Sequence, residues 1–221
     1  MSELRALLRR LEVFTGELPE FDAAAAPAGP AALFTAWLLE AVEAKVPEPH
    51  AMSLATAGRD GNPAARVLIV KDVLPDPDAG WRFAAERTSP KGAALAERPY
   101  AAATFYWPDL GRQVRLRGPV AAESAEAGAA DFLDRGPGAR AEALLGRQSR
   151  PLHDPAERAA ALAGARERVA REPDLVAPGW TLYTLRAEEA EFFQGAPDRD
   201  HIRLRYRRAQ DGSWSKERLW P

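Results

Sequence analysis

The 221-residue chain reads as an α+β domain with an antiparallel, barrel-like sheet and peripheral helices. Three observations predict this. Short period-two segments sit at both ends of the chain, joined by tight-turn signals that suit antiparallel hairpins. A helical block separates the two groups, broken into pieces by Gly136, Pro137, Gly138, Pro151 and Pro155. Composition is 46% hydrophobic and 28% charged, that of a folded chain long enough to bury a sizeable core.

The elements follow in order. Residues 3–12 predict a short amphipathic helix, and "ELPEFDAAAAPAGP" a loop that is mobile or draped over the surface rather than part of the core. Residues 31–46 predict a helix with Leu33, Trp37, Ala41 and Ala44 on one stripe. The period then changes to two. Residues 51–57 and 64–72, joined by "GRDGNP", form a hairpin, and 80–86 a third strand. "SPKGAALAER" opens a helix with Ser89 as N-cap and Pro90 in the first turn, where a missing N–H costs nothing. Residues 100–107 and 112–123 form another hairpin around "PDLG", and the helical block runs over about 123–173. The last strands are expected near 180–195, 201–208 and 213–219, with "QDGS" as the final turn. Residues 1–30 are read as a separate N-terminal segment, a candidate lid, and 31–221 as a single domain.

The totals exclude several functions. A net charge of −2 gives no global basic field, so neither nucleic acid nor a membrane surface is an expected partner. The chain has no cysteine, which removes disulfides, zinc thiolates and thiol nucleophiles. Three scattered histidines make a histidine-built metal site an unexpected feature, and no metal is assigned. No apolar run approaches the roughly 18–20 residues of a membrane span. The N-terminus lacks a signal peptide's apolar centre, so a cytoplasmic location is expected.

Against that near-neutral background, "DRDHIRLRYRR" (198–208) is a local concentration of charge. Read as a strand, it places Arg199, His201, Arg203, Arg205 and Arg207 on one face and Ile202, Leu204 and Tyr206 on the other. A ladder of cations repels itself, so this face calls for an anion. Four other clusters of basic or amide residues stand at strand ends or helix starts. Arg66 and Lys71 bracket the second strand. Lys91 lies in the first turn of the helix capped by Ser89, where free N–H groups already favour an anion. Gln113 stands between Arg112 and Arg115, and "GRQSR" places Gln148 and Ser149 between two arginines.

None of these motifs is specific alone; their order is. The succession "RVLIVKD", "SPKGAALAERPYAAATFYWPDLGRQVRLRGPV", "GRQSRPL", "EFFQG", "RDHIRLRYRR" and a closing "KERLWP" resembles the pyridoxamine 5′-phosphate oxidase family, from about residue 48 to the C-terminus. The resemblance implies an FMN-binding split β-barrel with peripheral helices, assembled as a homodimer with the flavin in a cleft between subunits. It implies that Arg66 and Lys91 hold the FMN phosphate. Val67, Leu68, Ile69, Val70 and Lys71 would lie along the flavin, with Ala84, Ala85, Gln113, Gln148, Ser149, Phe193 and Arg203 as further cofactor contacts. Phe193 stands where the family usually has Trp. Arg199 and His201 would be the catalytic pair in front of the flavin, and Lys71 and Arg135 would join them in binding substrate. The implied reaction is hydride transfer from a small aromatic substrate to flavin N5, with O₂ as acceptor giving H₂O₂.

The chain also departs from the family. The usual substrate phosphate is gripped by Tyr, Arg and Ser in "YF..RP..S"; here the segment reads "DFLDRGPGA". Arg135 is retained, but Asp131 replaces the Tyr and Ala139 the Ser. A carboxylate beside a phosphate is repulsive. Pro90 replaces a basic residue beside Lys91, and Asp200 a leucine. The N-terminal "TG" and "LPEF" resemble the flavin oxidases of phenazine biosynthesis, a branch acting on reduced tricyclic carboxylates. The substrate is therefore pyridoxine/pyridoxamine 5′-phosphate or an unphosphorylated, carboxylated ring. A flavin-binding protein without turnover is the alternative of another class.

Overall fold

The computed structural model describes residues 2–221. Ten strands form one continuous, curled antiparallel sheet, and six α-helices lie around it. The main path runs β10 (Trp214–Leu219), β9 (Ile202–Arg208), β8 (Glu189–Gln194), β6 (Arg112–Ala122), β5 (Tyr100–Trp107), β1 (Ala51–Ala57) and β2 (Pro63–Ile69). A branch leaves β6 through β7 (Trp180–Arg186) and β4 (Gly80–Glu86) to β3 (Asp72–Leu74).

The branch exists because β6 is long enough to serve two sheets. Residues 112–117 pair with β8, and residues 120–122 pair with β7. The corner is Gly118, where a Cβ would sit 2.0 Å from the Arg186 carbonyl oxygen, so only glycine allows the approach. The same corner divides the expected strand 180–195, whose halves pair with different parts of β6 on either side of Ala187 and Glu188. The expected strand 64–72 is likewise two strands. The Val70 N–H donates to the His50 carbonyl, whereas the Lys71 N–H donates to the Arg82 carbonyl, so the chain changes partner at Lys71. That places Lys71 at the split between the two halves of the barrel.

The core is aromatic. Helix α2 (Pro30–Glu43) inserts Phe34 against Trp81, Phe105 and Trp107, and Trp37 against Phe192. Its start is capped from a distance: the Asp76 carboxylate accepts from the Ala31 and Ala32 N–H groups. Gly29 makes room for this cap, because a Cβ there would lie 2.2 Å from the Asp76 carboxyl carbon. The expected stripe ends one turn early. Ala44 is exposed as the C-cap, and the left-handed Lys45 redirects the chain so that Val46 is buried instead.

The N-terminal helix α1 is shorter than expected, Glu3–Leu8, and buries no residue. The loop that follows departs from expectation by joining the core. Ala23 and Ala26 are buried, Phe21 packs edge-on against Trp37, and the Tyr206 hydroxyl donates to the Pro27 carbonyl. Lys216 donates to the Ala24 carbonyl at 3.1 Å, so this segment's carbonyls are satisfied by strands from the far end of the chain.

The helical block is three helices: α4 (Ala125–Leu133), α5 (Pro137–Leu144) and α6 (Pro155–Arg171), after the earlier α3 (Pro90–Glu97). Helices α5 and α6 form a small separate core from Ala141, Ala165 and Val169. No helix among the described residues is long and apolar enough to cross a membrane.

Phe34 has no exposed surface and touches three other core aromatics, so Phe34→Ala opens a cavity that its neighbours cannot fill. Urea unfolding should record a loss of about 3–5 kcal/mol. A loss below about 1 kcal/mol would mean that α2 is not the keystone of this core.

Candidate functional site

The site begins with two cations. Lys91 is only 5% exposed, yet its ammonium has a neutral partner, the Gln148 side-chain oxygen at 2.7 Å. Arg66 donates to the Leu54 carbonyl at 3.0 Å and to the Thr56 hydroxyl at 2.9 Å, again both neutral. Among the described residues neither forms an ion pair. They also feel each other. Burial first, then the nearby Arg66 charge, holds the Lys91 ammonium below its ordinary 10.5, with Glu86 pulling weakly the other way. Burial lowers Arg66 as well. Two desolvated cations without a counter-ion are costly unless an anion joins them.

The local sequence explains their placement. Ser89 accepts from the Gly92 N–H, so α3 starts just before Lys91. Gly92 lets the helix start press on β4, since a Cβ there would lie 2.3 Å from the Arg87 carbonyl oxygen. Beside Lys91 opens a cavity of about 860 Å³. Its lining includes Leu68, Ala84, Ala85, Gln148, Ser149 and Arg135. Gln148 and Ser149 come from the loop between α5 and α6, where Ser149 holds a left-handed φ of 65°. That strain is maintained at a candidate contact rather than relaxed.

A second cluster stands at the split of the barrel. Lys71 pairs with Asp131 at 2.9 Å, and the Trp180 indole N–H donates to the other Asp131 oxygen at 2.8 Å. The Arg135 guanidinium lies 4.0 Å from the Trp180 ring centroid, and its Nη1 is buried with no hydrogen-bond partner. Sequence reasoning treated Asp131 only as a lost phosphate ligand and did not weigh Trp180. Nothing local announces their contact, since 49 residues separate them.

The remaining candidates divide by face. Directly paired residues share a face, and Tyr106, Gln113, Phe193 and Arg203 form one such row across β5, β6, β8 and β9. Val67 and Ile69 belong to the same exposed face, at 69% and 48% exposure. Arg66 lies opposite Leu54, whose row of Ala103, Leu116, Ala190 and Tyr206 is buried, so Arg66 and Leu68 turn inward with Val70. One chain thus gathers Arg66, Leu68, Ala84, Ala85, Lys91, Gln148 and Ser149, and leaves Gln113, Phe193 and Arg203 on the opposite face.

The cationic ladder finds its anions inside the sheet. Arg203 pairs with Glu191 at 2.9 Å, Arg205 with Glu217 at 2.7 Å, and Arg207 with Glu189 at 3.3 Å. The period-two glutamates of "EAEF" were the available signal. Arg199 is not on the strand: it has a left-handed φ of 73° in the turn before β9, and its guanidinium has no partner among the described residues. His201 accepts at Nδ1 from the Ala196 N–H, which leaves its proton on Nε2 in the neutral ring. Its ring stands between Phe14 and Phe193, at 5.3 and 5.2 Å between centroids. Phe14, with a φ of 56°, was not anticipated.

Fold and site together define a split barrel with a large cavity beside a buried lysine. Residues 38–169 match the family profile described as pyridoxamine 5′-phosphate oxidase, and residues 180–221 the pyridoxine 5′-phosphate oxidase C-terminal dimerisation region. The chain belongs to the pyridoxamine 5′-phosphate oxidase family. It is 41% identical over 214 residues to a pyridoxine/pyridoxamine 5′-phosphate oxidase of Burkholderia multivorans, covering 96% of this chain and 97% of that one. A Salinibacter ruber protein of the same name is 40% identical over 190 residues, 85% of this chain and 87% of that one. The crystal structure of PhzG from Burkholderia lata 383, in complex with tetrahydrophenazine-1-carboxylic acid, superposes with a TM-score of 0.85 at 28% identity, covering 93% of this chain and all of that one. A pyridoxamine 5′-phosphate oxidase-related, FMN binding protein from Nostoc punctiforme shares the fold, with a TM-score of 0.69 at 24% identity over 87% of this chain and 98% of that one.

The Lys91 environment makes a pH prediction. The unfolded chain keeps this proton up to about 10.5, whereas the buried ammonium releases it earlier. Below both values the buried charge is a constant cost. Between them unfolding takes up a proton, so stability of the ligand-free chain rises with pH, and above both the cost is gone. Melting curves of wild type and Lys91→Met should therefore converge through this alkaline window, and inorganic phosphate should raise the wild-type melting temperature only below it. Parallel pH profiles would contradict an uncompensated Lys91.

Proposed function

We propose that the protein is an FMN-dependent oxidase acting on a small anionic ring compound, and that it works as a homodimer. The observation that carries this is the Arg66–Lys91 pair, a buried lysine lining a large cavity and a half-buried arginine near it, both with only neutral partners. A phosphate monoester supplies the missing charge, and the FMN phosphate fits the donor set, an ammonium and a guanidinium. Leu68, Ala84 and Ala85 would offer the ring system an apolar wall, and Gln148 and Ser149 would donate or accept at its polar edge.

The division between faces supports the dimer. Gln113, Phe193 and Arg203 can reach the same flavin only from a second copy, and the match of residues 180–221 to a dimerisation region agrees with this reading. Arg199 and His201 travel with that second set. His201, protonated at Nε2, can donate to a substrate oxygen or nitrogen, and the unpaired Arg199 can hold an acidic group beside it. Phe14, against His201 and Phe193, gives the N-terminal segment a means of excluding water there. Bound in this cleft, FMN supplies a hydride acceptor at N5 that O₂ reoxidises with release of H₂O₂.

Two substrates come into view. The names of the sequence relatives favour pyridoxine or pyridoxamine 5′-phosphate, and the ligand of the PhzG structure favours a reduced phenazine carboxylate. Anaerobic mixing of FMN-loaded protein with each compound tests the proposal. The productive substrate should bleach the yellow flavin, and air should restore the colour with one H₂O₂ per turnover. A flavin that stays oxidised with both would point instead to a flavin-binding protein without turnover.

A further inference from the structure

The cluster at the split of the barrel carries a charge count that bears on the substrate. Lys71 and Arg135 are cationic and Asp131 is anionic. Asp131 is fully engaged, with one oxygen on Lys71 at 2.9 Å and the other on the Trp180 indole at 2.8 Å. Lys71 is therefore neutralised from within the chain. Arg135 is left over. Its guanidinium lies over Trp180, at 4.0 Å from the ring centroid, and the residue lines the cavity. Its Nη1 is buried without a hydrogen-bond partner, a donor whose desolvation nothing offsets. Burial lowers this guanidinium's proton affinity, while the Asp131 charge pulls it back up, so the two groups interact across the cluster.

We infer that Asp131 is a specificity-determining residue: a built-in counter-ion that sets the cluster's net charge at plus one, so that it accepts a substrate's monoanionic carboxylate on Arg135 and rejects a phosphate dianion. This deepens the proposed function and rests on its reading of the cavity as the flavin and substrate cleft. A carboxylate arriving at the cavity side of Arg135 balances the one charge left open. A phosphate brings two negative charges to the same net plus one and meets the Asp131 carboxylate at close range, where repulsion between like charges is weakly screened. Trp180 offers phosphate no compensation, because its one N–H is already given to Asp131. Among the two substrate classes above, the carboxylated, unphosphorylated ring is the one this cluster admits.

The test measures what each anionic group adds to binding, with each ring as its own control and no turnover required. Calorimetry on the protein as purified compares 4-deoxypyridoxine with its 5′-phosphate, and phenazine with phenazine-1-carboxylate. In wild type the phosphate should improve affinity by less than about threefold, and the carboxylate by about tenfold or more. Asp131→Asn keeps the side-chain shape and the acceptor for Trp180 but removes the charge, and should raise the phosphate's increment by about tenfold. Arg135→Gln should abolish the carboxylate's increment. A wild-type increment larger for phosphate than for carboxylate, or a phosphate increment unchanged by Asp131→Asn, overturns the inference, as does failure of the carboxylate to bind better than its parent ring. FMN content, read from absorbance of the same samples, reports separately on the proposed function: colourless protein would sink that reading while leaving the charge measurement intact.

Discussion

The structure turns on a pair of positive charges that the chain itself does not neutralise. Lys91 is almost wholly buried and Arg66 stands close enough to depress its proton affinity, yet their partners are a carbonyl, a hydroxyl and an amide. This is not for want of carboxylates. Elsewhere the protein pairs its cations readily, with Glu189, Glu191 and Glu217 threaded between the arginines of β9 and its neighbours. Ser89, Gly92 and the turn of α3 then fix Lys91 against the end of β4, and the loop between α5 and α6 brings Gln148 over it. The cavity follows from this arrangement, since the elements that approach the pair do not fill the space beside it.

The barrel's geometry explains why one chain holds only part of the expected constellation. Pairing register assigns every strand residue to one of two faces. Arg66 and Leu68 fall on the inner face of β2, and Val67 and Ile69 on the outer. Gln113, Phe193 and Arg203 occupy one outer row across three strands. No adjustment of side chains moves a residue through a sheet, so a ligand touching both sets needs two sheets, and hence a second copy.

Much of this was legible in the sequence because it is local. The helix start at Ser89–Pro90–Lys91, the hairpin turns and the alternation of β9 each depend on residues a few positions apart, and each is found where the sequence places it. What escaped was long-range. Lys71 looks like the continuation of a strand, and only its change of partner from β1 to β4 makes it a hinge between halves of the barrel. The alanine- and proline-rich loop reads as surface until Trp37, Tyr206 and Lys216 claim it. Arg199 carries the period of a strand but lies in a left-handed turn just before it. Asp131 reads as a damaged ligand, and its role emerges only with Lys71 on one side and Trp180 on the other. Sequence order identified the family; the site's charge balance needed three dimensions.

The central claim is that the uncompensated pair of Arg66 and Lys91 holds a flavin by its phosphate. Its most direct test is to denature the purified protein by heat and identify what is released, by mass and absorbance. The account predicts FMN, with its phosphate, at about one per chain. Release of riboflavin without phosphate, or of no flavin from protein reconstituted with excess FMN, would contradict it.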